Sequence, residues 1–111
     1  MQVRISQYRI MWVFVLFDLP TVLQKERKAY TKFRKFLLKD GFMMHQYSIY
    51  IRNCASMESA EAHIKRVENN LPEFGKVTII TLTDKQFGMM KNFYGVERKK
   101  PPNKIGQVEM F

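Results

Sequence analysis

Several residue types that build common kinds of site are scarce in this chain of 111 residues. The sequence has one cysteine, Cys54, and two histidines, His45 and His63, which stand in no recognised ligand spacing. An internal disulfide and a cysteine-based zinc site are therefore excluded. No glycine-rich phosphate loop and no Ser–His–Asp or Cys–His arrangement is present, so the sequence offers none of the usual nucleotide-binding or nucleophilic motifs.

Acidic residues are also scarce. The chain has 10 Asp and Glu against 19 Lys and Arg, and its net charge is +9. So large an excess of one sign on a small domain indicates a polyanionic partner, with nucleic acid favoured over an anionic membrane. The alternative is a generally basic protein without such a partner. Because 46% of the residues are hydrophobic, disorder is excluded for most of the chain.

Long apolar runs are absent. The most prominent run covers residues 10–17, which is shorter than a membrane span. Arg4 and Arg9 precede it as in a signal peptide, but Asp18 ends it and no small-residue cleavage site follows. Its β-branched and aromatic residues predict a buried central strand instead. We therefore expect a cytoplasmic protein.

The hydrophobic periodicity alternates between strand and helix along the chain. It predicts a strand at 10–18, a helix at about 22–39 ended by Gly41, two short strands within 42–52, a helix from Ser56 to about 70, a strand at 76–83, a helical turn at 84–87 and a last strand at 105–111. In the second helix, Ala60, Ile64, Val67 and Leu71 form the expected apolar stripe. This order predicts an α+β, ferredoxin-like βαββαβ fold with an extra C-terminal strand. The expected organisation is an N-terminal extension at 1–9, the domain at 10–95, a basic linker at 96–104 and the edge strand at 105–111.

The predicted strands carry apolar residues on both sides, although both helices would cover only one face of the sheet. A second copy of the chain could cover the other face, so we expect a homodimer formed by sheet stacking. The alternative is a monomer whose open face is partly polar.

Asp18 is the candidate metal ligand. It stands where an apolar strand ends, just before Pro20, and a carboxylate held there by a rigid element and partly desolvated suits a hard cation. The alternative is an aspartate that caps a helix or a turn. If a two-fold axis passed near Asp18, two carboxylates would meet and form a magnesium site.

The first predicted helix carries a basic face. Lys28, Lys32, Lys35 and Lys39 follow one another at intervals of four, three and four residues, opposite Phe33 and Leu37, and Arg27 flanks them. Successive lysines then lie ~5–6 Å apart, a spacing that phosphates of a nucleic acid can match. The alternative is an ordinary solvated face, but such faces mix charges of both signs, and Glu26 is the only acid between Lys25 and Lys39.

Three segments, VLFDLP at 15–20, ERKAYTKFRKFLL at 26–38 and GFMMHQYSIY at 41–50, resemble the smaller of the two core CRISPR spacer-acquisition proteins, most closely its type II branch. The resemblance covers about residues 10–95. It implies a ferredoxin-like homodimer with magnesium-dependent endonuclease activity, in which Asp18 is the catalytic metal ligand. It also implies a complex with the larger acquisition protein, the integrase. In that complex the small dimer acts mainly as a bridge and ruler, with duplex DNA (or RNA) lying across it. Two departures are the nine residues before Ile10 and Phe17, which stands where many relatives have tyrosine.

The resemblance also favours a docking role for the C-terminal strand. Ile105, Val108 and Met110 belong to a short alternating segment behind a basic, proline-containing tether, and such a strand could add to the integrase by strand addition. The alternatives are pairing with the other protomer and a frayed terminus.

Two functions of different class therefore compete. The first is a scaffold that binds DNA and bridges the integrase, and the second is a metal-dependent nuclease. A toxin-type ferredoxin-like ribonuclease and a non-catalytic nucleic-acid-binding module are further alternatives. Because one carboxylate per chain is few for phosphodiester cleavage, the scaffold is expected first.

Overall fold

The protein is described by a computed structural model, which covers residues 9–95. Its elements are β1 (Met11–Asp18), α1 (Gln24–Lys39), β2 (Met43–Gln46), β3 (Ile49–Cys54), α2 (Met57–Glu68), β4 (Lys76–Thr83) and α3 (Asp84–Gly88). The strands form one antiparallel sheet in the order β2-β3-β1-β4. This confirms the predicted ferredoxin-like α+β fold. The predicted linker at 96–104 and strand at 105–111, like residues 1–8 of the extension, lie outside the described residues.

The first strand is central because its side chains are apolar in both directions. It pairs with β3 from Met11↔Cys54 to Leu16↔Ile49. On its other side it pairs with β4 over its whole length, from Met11↔Thr83 to Asp18↔Lys76. Because β4 pairs up to the last residue of β1, the end of β1 is held inside a regular ladder.

The core lies between the sheet and the helices α1 and α2. Val13 and Val15 of β1 are fully buried there under Phe33 and Leu37 of α1, together with Ala60 and Val67 of α2. Phe33 and Leu37 of α1 and Ala60 and Val67 of α2 have the helical spacing on which the sequence prediction depended.

One predicted core residue is placed wrongly. Leu71 was expected in the apolar stripe of the second helix, but α2 ends at Glu68 and Leu71 is 50% exposed. The helix cannot continue through Leu71 because Pro72 follows that residue, and the residue before a proline is disfavoured in helical conformation.

Other boundaries shift by one or two residues for local reasons. The first helix begins at Gln24 rather than at 22, because the Glu26 carboxylate accepts hydrogen bonds from the amides of Val22 and Leu23, at 3.0 and 2.8 Å. Gly41 follows the end of α1 as predicted, with a φ of +93° that favours glycine. The predicted turn near Gln46 is found just after β2, where Ser48 adopts a φ of 64°.

The second face of the sheet carries apolar side chains that the helices α1 and α2 leave uncovered. At one end α3 lies over it, where Phe87 stacks on Trp12 with ring centroids 3.7 Å apart and Trp12 Nε1 donates to Asp84 Oδ1 at 2.7 Å. Elsewhere on this face Met43 and Ile80, which share it with Phe14 through the strand register, are 61% and 44% exposed. Among the described residues, no helix is long and apolar enough to cross a membrane.

Candidate functional site

Asp18 is the last residue of β1, and its side chain is exposed. Lys76 lies opposite it in the ladder, yet within residues 9–95 the Asp18 carboxylate forms no ion pair and accepts no hydrogen bond. The capping role at α1 belongs to Glu26. Asp18 is therefore not the capping or turn aspartate of the alternative prediction. Its side chain is exposed in the single chain, so any desolvation would have to come from a second chain.

The backbone of Asp18 is fixed although its side chain is not. Gly75 has a φ of +87°, and a Cβ at that position would lie 2.5 Å from the Asp18 carbonyl oxygen and 2.9 Å from Leu19 Cα. Only glycine fits this approach. On the other side, the Phe17 amide donates to the Ser48 carbonyl oxygen at 3.0 Å. The carboxylate is thus presented to solvent from an anchored position.

A metal site built from one chain would have few ligands. The part of the chain that the structure describes contains no group of three or more His, Cys, Asp and Glu side chains that could hold a metal ion. Mg²⁺ accepts one or two carboxylates with water completing its octahedron. The Asp18 carboxylate, which has no partner within residues 9–95, has the right chemistry, but a second chain would have to supply the second carboxylate.

The lysine stripe is defined by Lys28, Lys32, Lys35 and Lys39 of α1, all of which are exposed. Among the described residues none of them forms an ion pair or hydrogen bond. The only acid of the helix, Glu26, is occupied in capping. The stripe borders a shallow, open depression of about 580 Å³, which is lined by Gln24, Arg27, Lys28, Thr31, Lys32 and Lys35. These positive charges are therefore not neutralised within this part of the protein.

The two arginines of the same helix are held more tightly than the lysines. Arg27 donates from one terminal nitrogen to the carbonyl oxygens of Thr21 and Val22. Arg34 donates from Nε to the hydroxyl of the buried Tyr50 at 2.8 Å. Lys25 is also engaged, because its ammonium lies 5.5 Å from the centre of the Phe74 ring.

An aromatic cluster that the sequence analysis did not single out forms around Phe17 on the helix-covered face of the sheet. Phe17, the residue before Asp18, contacts Tyr50 and Tyr30 with ring centroids 5.6 and 5.8 Å apart. Tyr47 lies nearly parallel to Tyr30 at 6.4 Å and 26°. The pKa of the Tyr47 phenol is raised above its ordinary value, mainly by its hydrogen bond with Tyr30 and next by the charge that Tyr30 would carry. Tyrosine rings thus surround Phe17, whose own ring carries no hydroxyl.

A second aspartate, Asp40, lies in a different environment at the end of α1. Its Oδ2 accepts from His63 Nδ1 and its Oδ1 from Arg66, both at 2.8 Å. Burial raises the pKa of the Asp40 carboxyl, but the hydrogen bonds and charges of His63 and Arg66 outweigh it, so the pKa lies below its ordinary value. The main-chain oxygen of Asp40 accepts from Arg52 Nε at 3.0 Å. His63 therefore has a structural partner, and this cluster joins α1, α2 and β3.

Comparison with known proteins adds to this geometry. The family model described as CRISPR associated protein Cas2 matches residues 11–90. The chain belongs to the Cas2 family. A protein of Flavobacterium psychrophilum named CRISPR-associated endoribonuclease Cas2 is 57% identical to it, over 97% of this chain and 94% of that protein. A Parvibaculum lavamentivorans protein of the same name is 50% identical, over 91% of this chain and 100% of that protein.

A solved structure supports the fold. The crystal structure of a Cas2 protein aligns with a TM-score of 0.53 and 21% identity, over 86% of this chain and 97% of that one. Membership of the Cas2 family confirms the resemblance found in the sequence.

The predicted docking residues Ile105, Val108 and Met110 lie outside the described residues. The Tyr30–Tyr47 pair was missed because residues 30 and 47 meet only once α1 and the β2–β3 turn have packed together.

Proposed function

We propose that this Cas2-family chain is a CRISPR adaptation protein. As a homodimer it binds duplex DNA and bridges the integrase during spacer acquisition, and magnesium-dependent endonuclease activity is its secondary property. The observation that carries the proposal is the lysine stripe, in which no charge is neutralised by the rest of residues 9–95. A helix face that served only for solubility would mix charges of both signs.

The stripe suits a phosphate backbone for a physical reason. Lysines three and four residues apart on a helix lie ~5–6 Å from one another, so neighbouring ammonium groups can meet neighbouring phosphates. Binding then releases the counterions condensed on the nucleic acid, which supplies much of the affinity and makes it dependent on salt. The contacts are to the backbone, so this surface would bind without reading sequence.

The uncovered sheet face supports the homodimer. Met43 and Ile80 are large apolar side chains left in solvent on that face. A second copy stacked on it would bury these side chains in both protomers. A two-fold axis near the end of β1 would bring two Asp18 carboxylates to one place. The magnesium site and the dimer are therefore linked parts of one proposal.

In the nuclease role, Asp18 and its counterpart in the second copy would hold the ion. Bound Mg²⁺ would neutralise charge on a phosphodiester oxygen and lower the pKa of bound water. The chain itself contributes a carboxylate whose backbone is anchored by Gly75 and whose oxygens are not engaged elsewhere among the described residues. Because one candidate metal-binding carboxylate per chain is few for phosphodiester cleavage, cleavage is placed second to the scaffold role. RNA is the alternative substrate, because relatives carry the name endoribonuclease.

A charge-matched pair of variants tests the lysine stripe. We expect Lys28→Gln/Lys32→Gln to weaken binding to a blunt DNA duplex and to reduce the slope of log affinity against log salt by about two units, one per lost phosphate contact. The control, Lys65→Gln/Lys91→Gln, removes the same charge from exposed positions outside α1 and should leave the slope almost unchanged. Equal slopes in both variants would show that the stripe is an ordinary solvated face.

An integration assay separates the scaffold from the nuclease. The protein would be purified with its integrase, and spacer integration compared between the wild type and Asp18→Ala. Integration that survives the substitution supports the scaffold role. Loss of integration, with folding, complex formation and duplex binding intact, supports an essential nuclease instead.

The docking role of Ile105, Val108 and Met110 is tested by deleting residues 105–111. The truncated protein should fold and bind DNA but no longer co-purify with the integrase. Full complex formation would contradict docking, and dissociation into monomers would assign the segment to the dimer.

A further inference from the structure

Tyr47 is an exposed aromatic side chain on a rigid turn. Its side chain is 78% exposed, but it belongs to the short connection between β2 and β3 rather than to a chain end. The next residue, Ser48, has a φ of 64°, and its carbonyl oxygen accepts the hydrogen bond from Phe17. The ring is thus carried by backbone that is tied to the residue before Asp18.

Within residues 9–95, the Tyr47 ring has one aromatic neighbour, Tyr30. Tyr30 of α1 lies nearly parallel to it, and Tyr30 in turn contacts Phe17 edge to face. Phe17 is buried and packs on Phe33 at 5.3 Å, so the series of rings leads from the core to the surface. Most of the Tyr47 ring therefore faces solvent with Tyr30 behind it, which leaves one aromatic face accessible for stacking on a planar ligand.

Two arginines lie beside this pair. Arg27 and Arg34 stand three residues before and four residues after Tyr30, so they are its neighbours on the surface of α1. Their hydrogen bonds use one nitrogen of each guanidinium, a terminal nitrogen of Arg27 and Nε of Arg34. Each guanidinium has five N–H donors, so both retain donors for a phosphate.

We propose that Tyr47, backed by Tyr30, stacks on an unpaired base of bound DNA while Arg27 and Arg34 contact the phosphates beside that base. This inference rests on the proposed function, because it presupposes that DNA is bound. The site would distinguish unpaired from paired DNA, which the lysine stripe cannot do. Lysines contact phosphates of paired and unpaired strands alike, whereas the flat face of a base is accessible to a side chain only where the base is unpaired.

The test uses the full chain and two labelled probes, a blunt duplex and the same duplex extended by a single-stranded overhang. Relative to the wild type, Tyr47→Ala should weaken binding of the overhang probe roughly 5- to 100-fold, the loss of one stacked base. Its affinity for the blunt duplex and its salt slope should stay unchanged. Tyr47→Phe keeps the ring and should retain binding of both probes.

Two further variants make the result decisive. Tyr47→Leu keeps an apolar side chain against Tyr30 but removes the aromatic face, and it should show the same selective loss as the alanine variant. Phe93→Ala removes another exposed aromatic ring, 86% exposed, and should change neither probe. Thermal unfolding of each variant checks that the fold is kept.

The outcomes separate the two proposals. If the wild type binds the duplex with the expected salt dependence but Tyr47→Ala loses nothing, or loses equally on both probes, the stacking site is overturned and the proposed function stands. If the wild type binds neither probe, both are overturned.

Discussion

The two aspartates that end β1 and α1 are held in opposite ways. Asp18 is fixed by its backbone, against which Gly75 packs, and its carboxylate has no partner within residues 9–95. Asp40 is fixed by its side chain, whose two oxygens accept hydrogen bonds from His63 and Arg66. The same residue type is therefore held in two ways, and the two differ in whether the carboxylate oxygens accept hydrogen bonds from described residues.

Whether a carboxylate has hydrogen-bond partners indicates whether it stabilises the fold or is available to a ligand. A carboxylate enclosed by its partners contributes to the folded state, because removing it leaves polar groups without hydrogen bonds. A carboxylate presented without partners contributes little to folding and remains available to a ligand. On this comparison Asp40 stabilises the domain, whereas the Asp18 carboxylate is not engaged by any of the described residues.

The largest expected effect comes from disturbing the backbone that holds Asp18. Gly75→Ala should destabilise the protein by about 2–3 kcal/mol, because alanine would be strained at this φ and its Cβ would contact the Asp18 carbonyl oxygen. Urea unfolding measures the loss. The control is Gly88→Ala, where a Cβ would meet nothing within 4 Å; it should be neutral or slightly stabilising. Equal stability of the two variants would contradict the anchoring role of Gly75.

Disturbing the side chain that holds the other aspartate should have a somewhat smaller effect. Asp40→Asn should lower the free energy of unfolding by about 1–3 kcal/mol, because two hydrogen bonds to a charged acceptor are weakened. The same urea titration measures it. A loss below 0.5 kcal/mol would show that the cluster with His63 and Arg66 is not a stabilising one.

The contribution of Asp40 should also depend on pH in a defined direction. Its pKa is lowered from 3.8 in the folded protein, so between the folded and unfolded pKa values the unfolded state binds more protons and stability rises with pH. The advantage of the wild type over Asp40→Asn should be complete at about pH 5 and shrink as the pH falls through the folded pKa. Unfolding titrations between about pH 2.5 and 5 measure this difference, and a constant difference would contradict it.

The smallest effect is expected at the carboxylate without partners. Asp18→Asn should change stability by less than about 0.5 kcal/mol in magnesium-free buffer, because nothing among the described residues pairs with it. Magnesium should stabilise the wild type in a thermal scan and not stabilise this variant. Asp40→Asn should keep the magnesium response. An unchanged response in Asp18→Asn would reject the shared metal site.

Prediction from sequence succeeded where the signal is local. The strand Lys76–Thr83 was predicted with the bounds observed, Ser56 caps α2 as expected, and the ferredoxin-like order was confirmed. Periodicity, caps and turn residues act over a few positions, so they are visible in a single chain. The prediction for Leu71 was wrong because it extended the apolar stripe past Glu68, where α2 ends ahead of Pro72.

Partnerships between distant residues were not predictable in the same way. The Asp40–His63 and Asp40–Arg66 contacts join residues 23 and 26 positions apart, and no spacing along the chain indicates them. The Tyr30–Tyr47 pair and the contact of Gly75 with Asp18 also depend on how the helices and strands pack. The hydrogen bond from Arg34 Nε to the Tyr50 hydroxyl likewise joins α1 to β3 across 16 positions of the chain.

The sequence alone therefore determined the order of elements, the net positive charge, the lysine stripe and the position of Asp18 at a strand end, because each depends on residue type and near neighbours. Only the tertiary structure decided which charged groups are paired. It placed partners around Asp40 and none among the described residues around Asp18, and it assembled the aromatic cluster around Phe17. The physical reason is that hydrogen bonds and ring contacts require distances of a few ångströms, and packing brings distant residues of the chain that close.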